Sequence, residues 1–287
     1  MIYYLYRVLG FLCPLIPARF GYWLFARFGD LGFWLTARPN SAYVKNIRRV
    51  LGEQATPAQL KAVTRRGYQN LVKNYFDLFR AHATTKEKLA KQLAGVQGLE
   101  HIENALKQDK GVVAGSGHFG AWDMVIHLTT IYLQAHVVTP QEHFKPERLF
   151  QYILRLRESQ GMDMVPIESA PREIIKALRA GHVVGLAYDR DITGSGQVVD
   201  FFGAPARLPD GAVQLAFKFG CPVIIGFAIR EPDNRVRVTI EPPLQFARTG
   251  DLEKDLREGV RKIARVMERY FRQYPDQWLM FQKVWEY

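Results

Sequence analysis

From residue 110 onward this 287-residue chain alternates short apolar runs with amphipathic stretches, and that alternation dictates a layered α/β fold. The pattern predicts strands over residues 112–116, 136–139, 164–167, 183–188, 223–229 and 235–240. It predicts helices over 121–134, 147–161, 171–180, 211–219 and 251–274. Ala180-Gly181 and Phe219-Gly220 are helix stops placed just before strands. Strands separated by helices pair in parallel, so the expected fold class is α/β, a mainly parallel sheet flanked by helices. Residues 189–209 read as a long loop. Upstream, residues 42–82 repeat apolar side chains at helical spacing, with Thr56-Pro57 as N-cap and first helical residue of the second helix. Residues 84–96 are charged and read as a helix leading into the core. No repeat or linker divides the chain, so one domain is expected. It would have membrane-interface helices over 1–40, a helical extension over 41–109 and an α/β catalytic core over 110–287.

The N-terminus has a different character. Residues 1–35 hold eleven aromatics, with Arg7, Arg19 and Arg27 spaced among them. No uncharged apolar run there reaches the roughly 18 residues that span a bilayer. Arg, Trp, Tyr and Phe interleaved on short helices suit a segment lying in a membrane interface. The formal net charge of +11 points the same way, toward an anionic partner. The basic residues are spread along the chain with no nucleic-acid motif, so nucleic acid is not the expected partner. Cys13 and Cys221 form neither a disulfide framework nor a metal-ligand spacing. Cys221 precedes Pro222 at the start of an apolar run and reads as a buried, inert thiol.

Chemistry concentrates where the first core strand ends, at Gly115-Ser116-Gly117-His118-Phe119-Gly120-Ala121-Trp122-Asp123. Strand, glycine-rich turn and helix put His118 at the carboxyl end of a strand, where ligands of α/β sheets bind. Asp123 falls in the first helical turn, where the helix dipole favours its charge. An imidazole oriented by a carboxylate is equipped for general-base work, and the glycines leave a substrate room to approach. The later Tyr188-Asp189-Arg190-Asp191 brings further charge to the same edge. Its continuation, residues 198–209, is apolar and aromatic, which suggests a partly greasy substrate. The His residues near 118 lack zinc-ligand spacing, so no metal site is expected, and the absence of a GxSxG elbow argues against a serine nucleophile.

Four patterns stand in order along nearly the whole chain. They are His118-Phe119-Gly120-Ala121-Trp122-Asp123, the Arg157-x3-Gly161 pair, Asp189-Arg190-Asp191 with Asp200-Phe201-Phe202-Gly203-x-Pro-x-Arg207, and Tyr274-Pro275-Asp276-Gln277-Trp278-Leu279. With them the chain resembles the lysophospholipid acyltransferase superfamily, in its bacterial branch of lipid A biosynthesis and phosphatidylinositol mannoside acyltransferases. The resemblance implies a glycerol-3-phosphate acyltransferase-like fold and transfer of a fatty acyl group from acyl-CoA or acyl carrier protein to a glycolipid hydroxyl. His118 would be the general base and Asp123 its orienting partner. Some relatives carry a Glu before the Phe-Phe-Gly; here Asp200 or Asp189 supplies that charge, or Asp123 acts alone. Gly117, Phe119, Gly120, Trp122, Arg157, Asp189, Arg190, Asp200, Phe201, Phe202 and Arg207 would contact substrate, with Phe201 and Phe202 lining an acyl groove. Backbone N–H groups of residues 117–120, or a nearby Arg, would hold the oxyanion. The expected setting is a monomer without cofactor, peripheral or monotopic on the cytoplasmic face of the bacterial inner membrane. The same His and Asp acting on water would make a thioesterase or lipid hydrolase, the alternative reading.

Overall fold

Four helices open the chain: α1 (Ile2–Leu12), α2 (Ala18–Thr36), α3 (Ala42–Leu51) and α4 (Pro57–Arg80). The structure, a computed structural model, describes residues 1–285. Helix α4 begins with a capping box. The Gln59 N–H donates to the Thr56 hydroxyl and the Thr56 N–H to the Gln59 side chain, with Pro57 at the first helical position. Its inner face packs along α2, where Phe25 and Phe76 meet with ring centroids 4.9 Å apart.

Then follow α5 (Lys86–Gln92), β1 (Leu93–Gln97), α6 (Leu99–Leu106), β2 (Val112–Ser116), α7 (Trp122–His127), β3 (Val137–Gln141), α8 (Glu147–Glu158), β4 (Met162–Pro166), α9 (Ala170–Arg179) and β5 (Val183–Ala187). After a hairpin of β6 (Gln197–Phe201) and β7 (Ala204–Leu208) come α10 (Gly211–Phe219), β8 (Val223–Arg230), β9 (Val236–Ile240) and α11 (Leu252–Gln273). Seven strands form one sheet in the order β1-β9-β8-β2-β5-β3-β4. Every neighbouring pair is parallel except β8 with β9. All eight residues of β8 are buried, and the run is apolar up to the closing Arg230, as expected of a strand covered on both faces. The predicted α/β class and mainly parallel sheet agree with this architecture.

Two expectations differ. Residues 84–96, read as one helix, divide into α5 and the edge strand β1, which pairs with β9. The sheet therefore draws on the segment assigned to a helical extension and does not begin at residue 110. Five residues following a charged helix are too few to display a period of two. Residues 189–209, read as a loop, contain the β6–β7 hairpin. Its two-residue turn is Phe202-Gly203, both at positive φ (54° and 74°), as such hairpins require. Phenylalanine is not a usual turn residue, so nothing in the sequence marked that turn.

Helices α1 and α2 and the short turn between them leave large apolar side chains in solvent, among them Phe11, Leu15, Phe20, Trp23, Phe28, Leu31, Trp34 and Leu35. Among the described residues no helix is long and apolar enough to cross a membrane. Both cysteines are buried and unpaired, and burial pushes the Cys221 thiol up to about 11, as befits an inert side chain.

Candidate active site

Strand register builds the centre of the site. β2 and β5 are parallel neighbours whose partners, from Val112↔Val183 to Ser116↔Ala187, are all 71 residues apart. The chain keeps that offset for two residues past the strand ends, which sets His118 beside Asp189, again 71 residues on. His118 Nδ1 lies 2.8 Å from Asp189 Oδ1. The His118 backbone N–H and the Trp278 indole N–H both donate to Asp189 Oδ2, each at 2.8 Å. Asp189 is fully buried. Burial works against its charge, but the imidazole and these hydrogen bonds hold its pKa below the usual carboxylate value. An ionised carboxylate only accepts, so Nδ1 carries the proton and Nε2 keeps its lone pair. Burial also opposes charge on the imidazole. The Asp189 carboxylate outweighs it and holds the His118 pKa above its ordinary value.

This corrects the partner expected from spacing. The carboxylate bonded to His118 is that of Asp189, not Asp123. Helix α7 turns Asp123 away to face Arg157, whose Nε is 3.7 Å from Asp123 Oδ1. Asp123 and His127, four residues on, are both buried. Burial raises the Asp123 pKa against the pull of Arg157 and lowers that of His127, so desolvation overrides the expected help from the helix dipole.

The glycines serve the protein rather than the substrate. A Cβ on Gly117 would stand 2.6 Å from the Phe271 ring and 2.8 Å from Asp189 Oδ2. Gly117 thus clears the way for the buried carboxylate. Gly120 sits at φ 58°, and a Cβ there would meet the Ala228 carbonyl oxygen at 1.9 Å. Gly120→Ala is expected to cost about 1–2 kcal/mol from the left-handed backbone alone. The readouts are a lowered thermal midpoint and, because the turn carries His118, a lower turnover.

The turn is strapped by the C-terminal segment. The Leu279 N–H donates to the His118 carbonyl and the Gly120 N–H to the Gln277 carbonyl, both at 2.7 Å. The Ala121 N–H donates to the Ala228 carbonyl. The N–H groups of His118, Gly120 and Ala121 are thus engaged within the protein and are not available to hold an oxyanion.

His118 opens into a cavity of about 280 Å³ shared with Trp122, Asp123, Arg157 and Arg190. Its apolar wall comes from Leu71, Tyr75 and Leu78, one face of α4, and from Leu279, Met280 and Phe281. Both arginines are tethered. Arg157 donates to Gln141 Oε1 at 2.5 Å, and Arg190 forks onto the Glu142 carboxylate at 2.6 and 3.4 Å. Gln141 and Glu142 lie at the carboxyl end of β3. Sequence reasoning missed them, and it missed the α4 wall and the role of Trp278. Only the i, i+4, i+7 spacing of Leu71, Tyr75 and Leu78 was available to mark a shared face.

The remaining expected contacts lie elsewhere. Phe119 is buried and stacked on Phe271. Phe201 is buried against Trp278 and Trp285 rather than lining an acyl groove at His118. Asp200 accepts from the Gly203 N–H and so braces the hairpin turn, away from His118. Arg207 donates to the Gly196 carbonyl at 2.9 Å. Phe202 lines a second cavity, beside α3. Among the described residues no three His, Cys, Asp or Glu side chains converge to hold a metal ion.

Known proteins resemble the chain as a whole. It is 35% identical over 187 residues to the phosphatidylinositol mannoside acyltransferase of Mycobacterium tuberculosis (strain CDC 1551 / Oshkosh). That match covers 63% of this chain and 58% of the relative, less than two thirds of the relative's length. The protein of the same name from Mycolicibacterium smegmatis (strain ATCC 700084 / mc(2)155) is 29% identical over 247 residues, 84% of this chain and 78% of that one. The sequence model of the bacterial lipid A biosynthesis acyltransferases matches residues 1–287. The chain belongs to the bacterial lipid A biosynthesis acyltransferase family.

Proposed function

We propose that this protein transfers a fatty acyl group from a thioester to a hydroxyl of a glycolipid, with His118 as general base. The observation that carries the reading is the buried Asp189 holding the His118 imidazole at 2.8 Å, next to a cavity with an apolar wall and two tethered arginines. The acceptor hydroxyl gives its proton to Nε2 as its oxygen attacks the thioester carbonyl. The tetrahedral intermediate collapses, the carbon–sulfur bond breaks, and the thiolate takes the proton from the imidazolium. Asp189 stabilises that imidazolium while it lasts. Arg157 and Arg190 line the cavity as charged donors suited to meet the oxyanion, and the N–H groups of His118, Gly120 and Ala121 are already engaged. Among the described residues no Ser, Thr or Cys lines the cavity, which supports direct transfer that passes through no acyl-enzyme. The acyl chain runs along the wall of Leu71, Tyr75, Leu78 and Met280.

The donor is acyl-CoA or acyl carrier protein. A glycolipid acceptor of the phosphatidylinositol mannoside or lipid A precursor type fits the activities for which the relatives are named. The test is incubation of the purified protein with labelled acyl thioester and glycolipid-containing vesicles. Label should enter the glycolipid. Free fatty acid released at a rate that no acceptor diverts would overturn transfer in favour of hydrolysis.

The exposed apolar side chains of α1, α2 and the turn between them seat the protein on the membrane, at the cytoplasmic face where acyl thioesters are available. A double Leu31→Glu, Leu35→Glu variant should leave the vesicle fraction in a flotation assay at an unchanged melting temperature, since both side chains are exposed. Flotation equal to the unmodified protein would refute that seating.

A further inference from the structure

The second cavity, of about 920 Å³, is a groove between the end of α2, α3, the start of α4 and the β6–β7 turn. That volume is within the range of small-molecule sites, roughly 300–1,000 Å³. Among the described residues five cations line it, Arg38, Lys45, Arg48, Arg49 and Lys61, with one acid, Glu53. Among the described residues no carboxylate pairs with Arg38, Arg48 or Lys61. Two cations are stacked on aromatic rings: the Arg49 guanidinium lies 5.3 Å from the Trp285 ring centroid and the Lys61 ammonium 4.7 Å from that of Trp34.

Below the charged rim the lining turns apolar, with Phe33, Val44, Leu60 and Phe202. Thr64 also lines the groove. It is 1% exposed, and its hydroxyl has no hydrogen-bond partner. A buried hydroxyl left unpaired costs about 1–3 kcal/mol, so a ligand oxygen that Thr64 meets by rotating about χ1 would be favoured. The groove is also continuous with the exposed face of α2. Trp34 lines it, and Leu31 and Leu35 of the same helix stand in solvent beside it.

We infer that this groove binds one anionic phospholipid, its phosphodiester at the cationic rim and the glycerol end of its chains on the apolar floor, within reach of the Thr64 hydroxyl. Charge complementarity selects the anion, since among the described residues Arg38, Arg48, Arg49 and Lys61 face the Glu53 carboxylate alone. The apolar floor selects an amphiphile over a free ion. A folded acidic protein docking on the rim would leave the concave floor and the Thr64 hydroxyl empty. The inference rests on the membrane seating of α1 and α2 and deepens it: the protein would grip a specific headgroup, not only a charged surface.

The test uses full-length protein carrying His118→Ala, so that no turnover intervenes. It is titrated calorimetrically with dihexanoyl phosphatidylglycerol or dihexanoyl phosphatidylcholine, each kept below its micelle concentration. The anionic lipid should bind at least tenfold more tightly. Adding Arg38→Glu and Arg48→Glu, both exposed, should weaken it at least tenfold without moving the melting temperature. Adding Thr64→Val should weaken it about fivefold, the worth of one hydrogen bond. Equal affinity for the two lipids, or indifference to the Arg38 and Arg48 changes, would overturn the proposal. So would inorganic phosphate binding as tightly as the lipid, or an acidic carrier protein binding these residues where the lipid does not. The labelled-thioester assay on the unmodified protein judges the catalytic reading separately. Lipid binding without acyl transfer sinks only the catalysis, and transfer without lipid binding sinks only the groove.

Discussion

His118→Ala is expected to reduce acyl transfer by about 10³-fold or more, and Asp189→Asn by about 10²–10⁴-fold, the usual span for losing a positioned general base or its orienting carboxylate. Asp189→Asn carries the sharper information. Its amide can donate to Nδ1, which favours the wrong tautomer and takes the lone pair from Nε2. It also removes the charge that raises the His118 pKa. General-base catalysis needs neutral imidazole, so activity falls as pH drops through the His118 pKa. The acid limb of kcat/KM should therefore lie above the ordinary histidine value of ~6.5 in the unmodified enzyme and move to lower pH in Asp189→Asn. Asp123→Asn is the control that separates the two carboxylates. Asp123 faces Arg157 and makes no hydrogen bond to His118, so its loss should leave the acid limb close to its original position while altering turnover through Arg157. If Asp123→Asn moves the limb and Asp189→Asn does not, the assignment of the dyad is wrong.

How far the site was legible follows from how each contact is made. The strand-turn-helix carrying His118 is local, written within a dozen residues as an apolar run, glycines and a helical start. Its position at the carboxyl edge follows from any parallel sheet. The partner is not local. Asp189 reaches His118 because β2 and β5 pair with a 71-residue offset, and two strand sequences alone do not state which parallel register they adopt. Asp123, nearer in sequence, was the attractive choice, but five residues into a tight turn and helix say little about where a side chain ends. Gln141 and Glu142 were hidden because their partners are distant in sequence: Arg157 lies at the far end of the following helix α8, and Arg190 comes from beyond β5. Phe201 and Phe202 look like groove residues in a loop. Once residues 197–208 form a hairpin, alternation sends Phe201 inward onto Trp285. Helices α8, α9 and α11 were the most legible part, because ten or more residues display a 3.6 period, whereas β1 is too short to display anything.

Behind the His118 turn lies a buried polar chain whose interruption should be felt throughout the protein. Asp77→Ala is expected to destabilise it by about 3–5 kcal/mol, because it strands the charge of Arg230, whose side chain is 2% exposed at the end of β8. Arg230 donates to Asp77 Oδ2 at 2.6 Å and to Asn74 Oδ1 at 2.7 Å, and the Tyr22 hydroxyl donates to the other Asp77 oxygen at 2.5 Å. The Asn74 amide donates at 2.7 Å to the Gly120 carbonyl, so the chain runs from α2 through α4 to the turn that holds His118. At ~2–4 °C per kcal/mol for a domain of this size, the melting temperature should fall by roughly ten degrees. Turnover should fall as well, beyond what the lost folded fraction explains, because Asn74 loses a fixed neighbour. The double variant Asp77→Leu, Arg230→Met removes both charges and should recover much of the stability, since apolar groups of similar volume replace a buried pair at little net cost. It should not recover full turnover, because Asn74 Oδ1 then has no guanidinium to orient its amide toward Gly120. A melting temperature within about a degree of the unmodified protein for Asp77→Ala would mean that Arg230 reaches water, and that the link between α2 and the catalytic turn is not held by this pair.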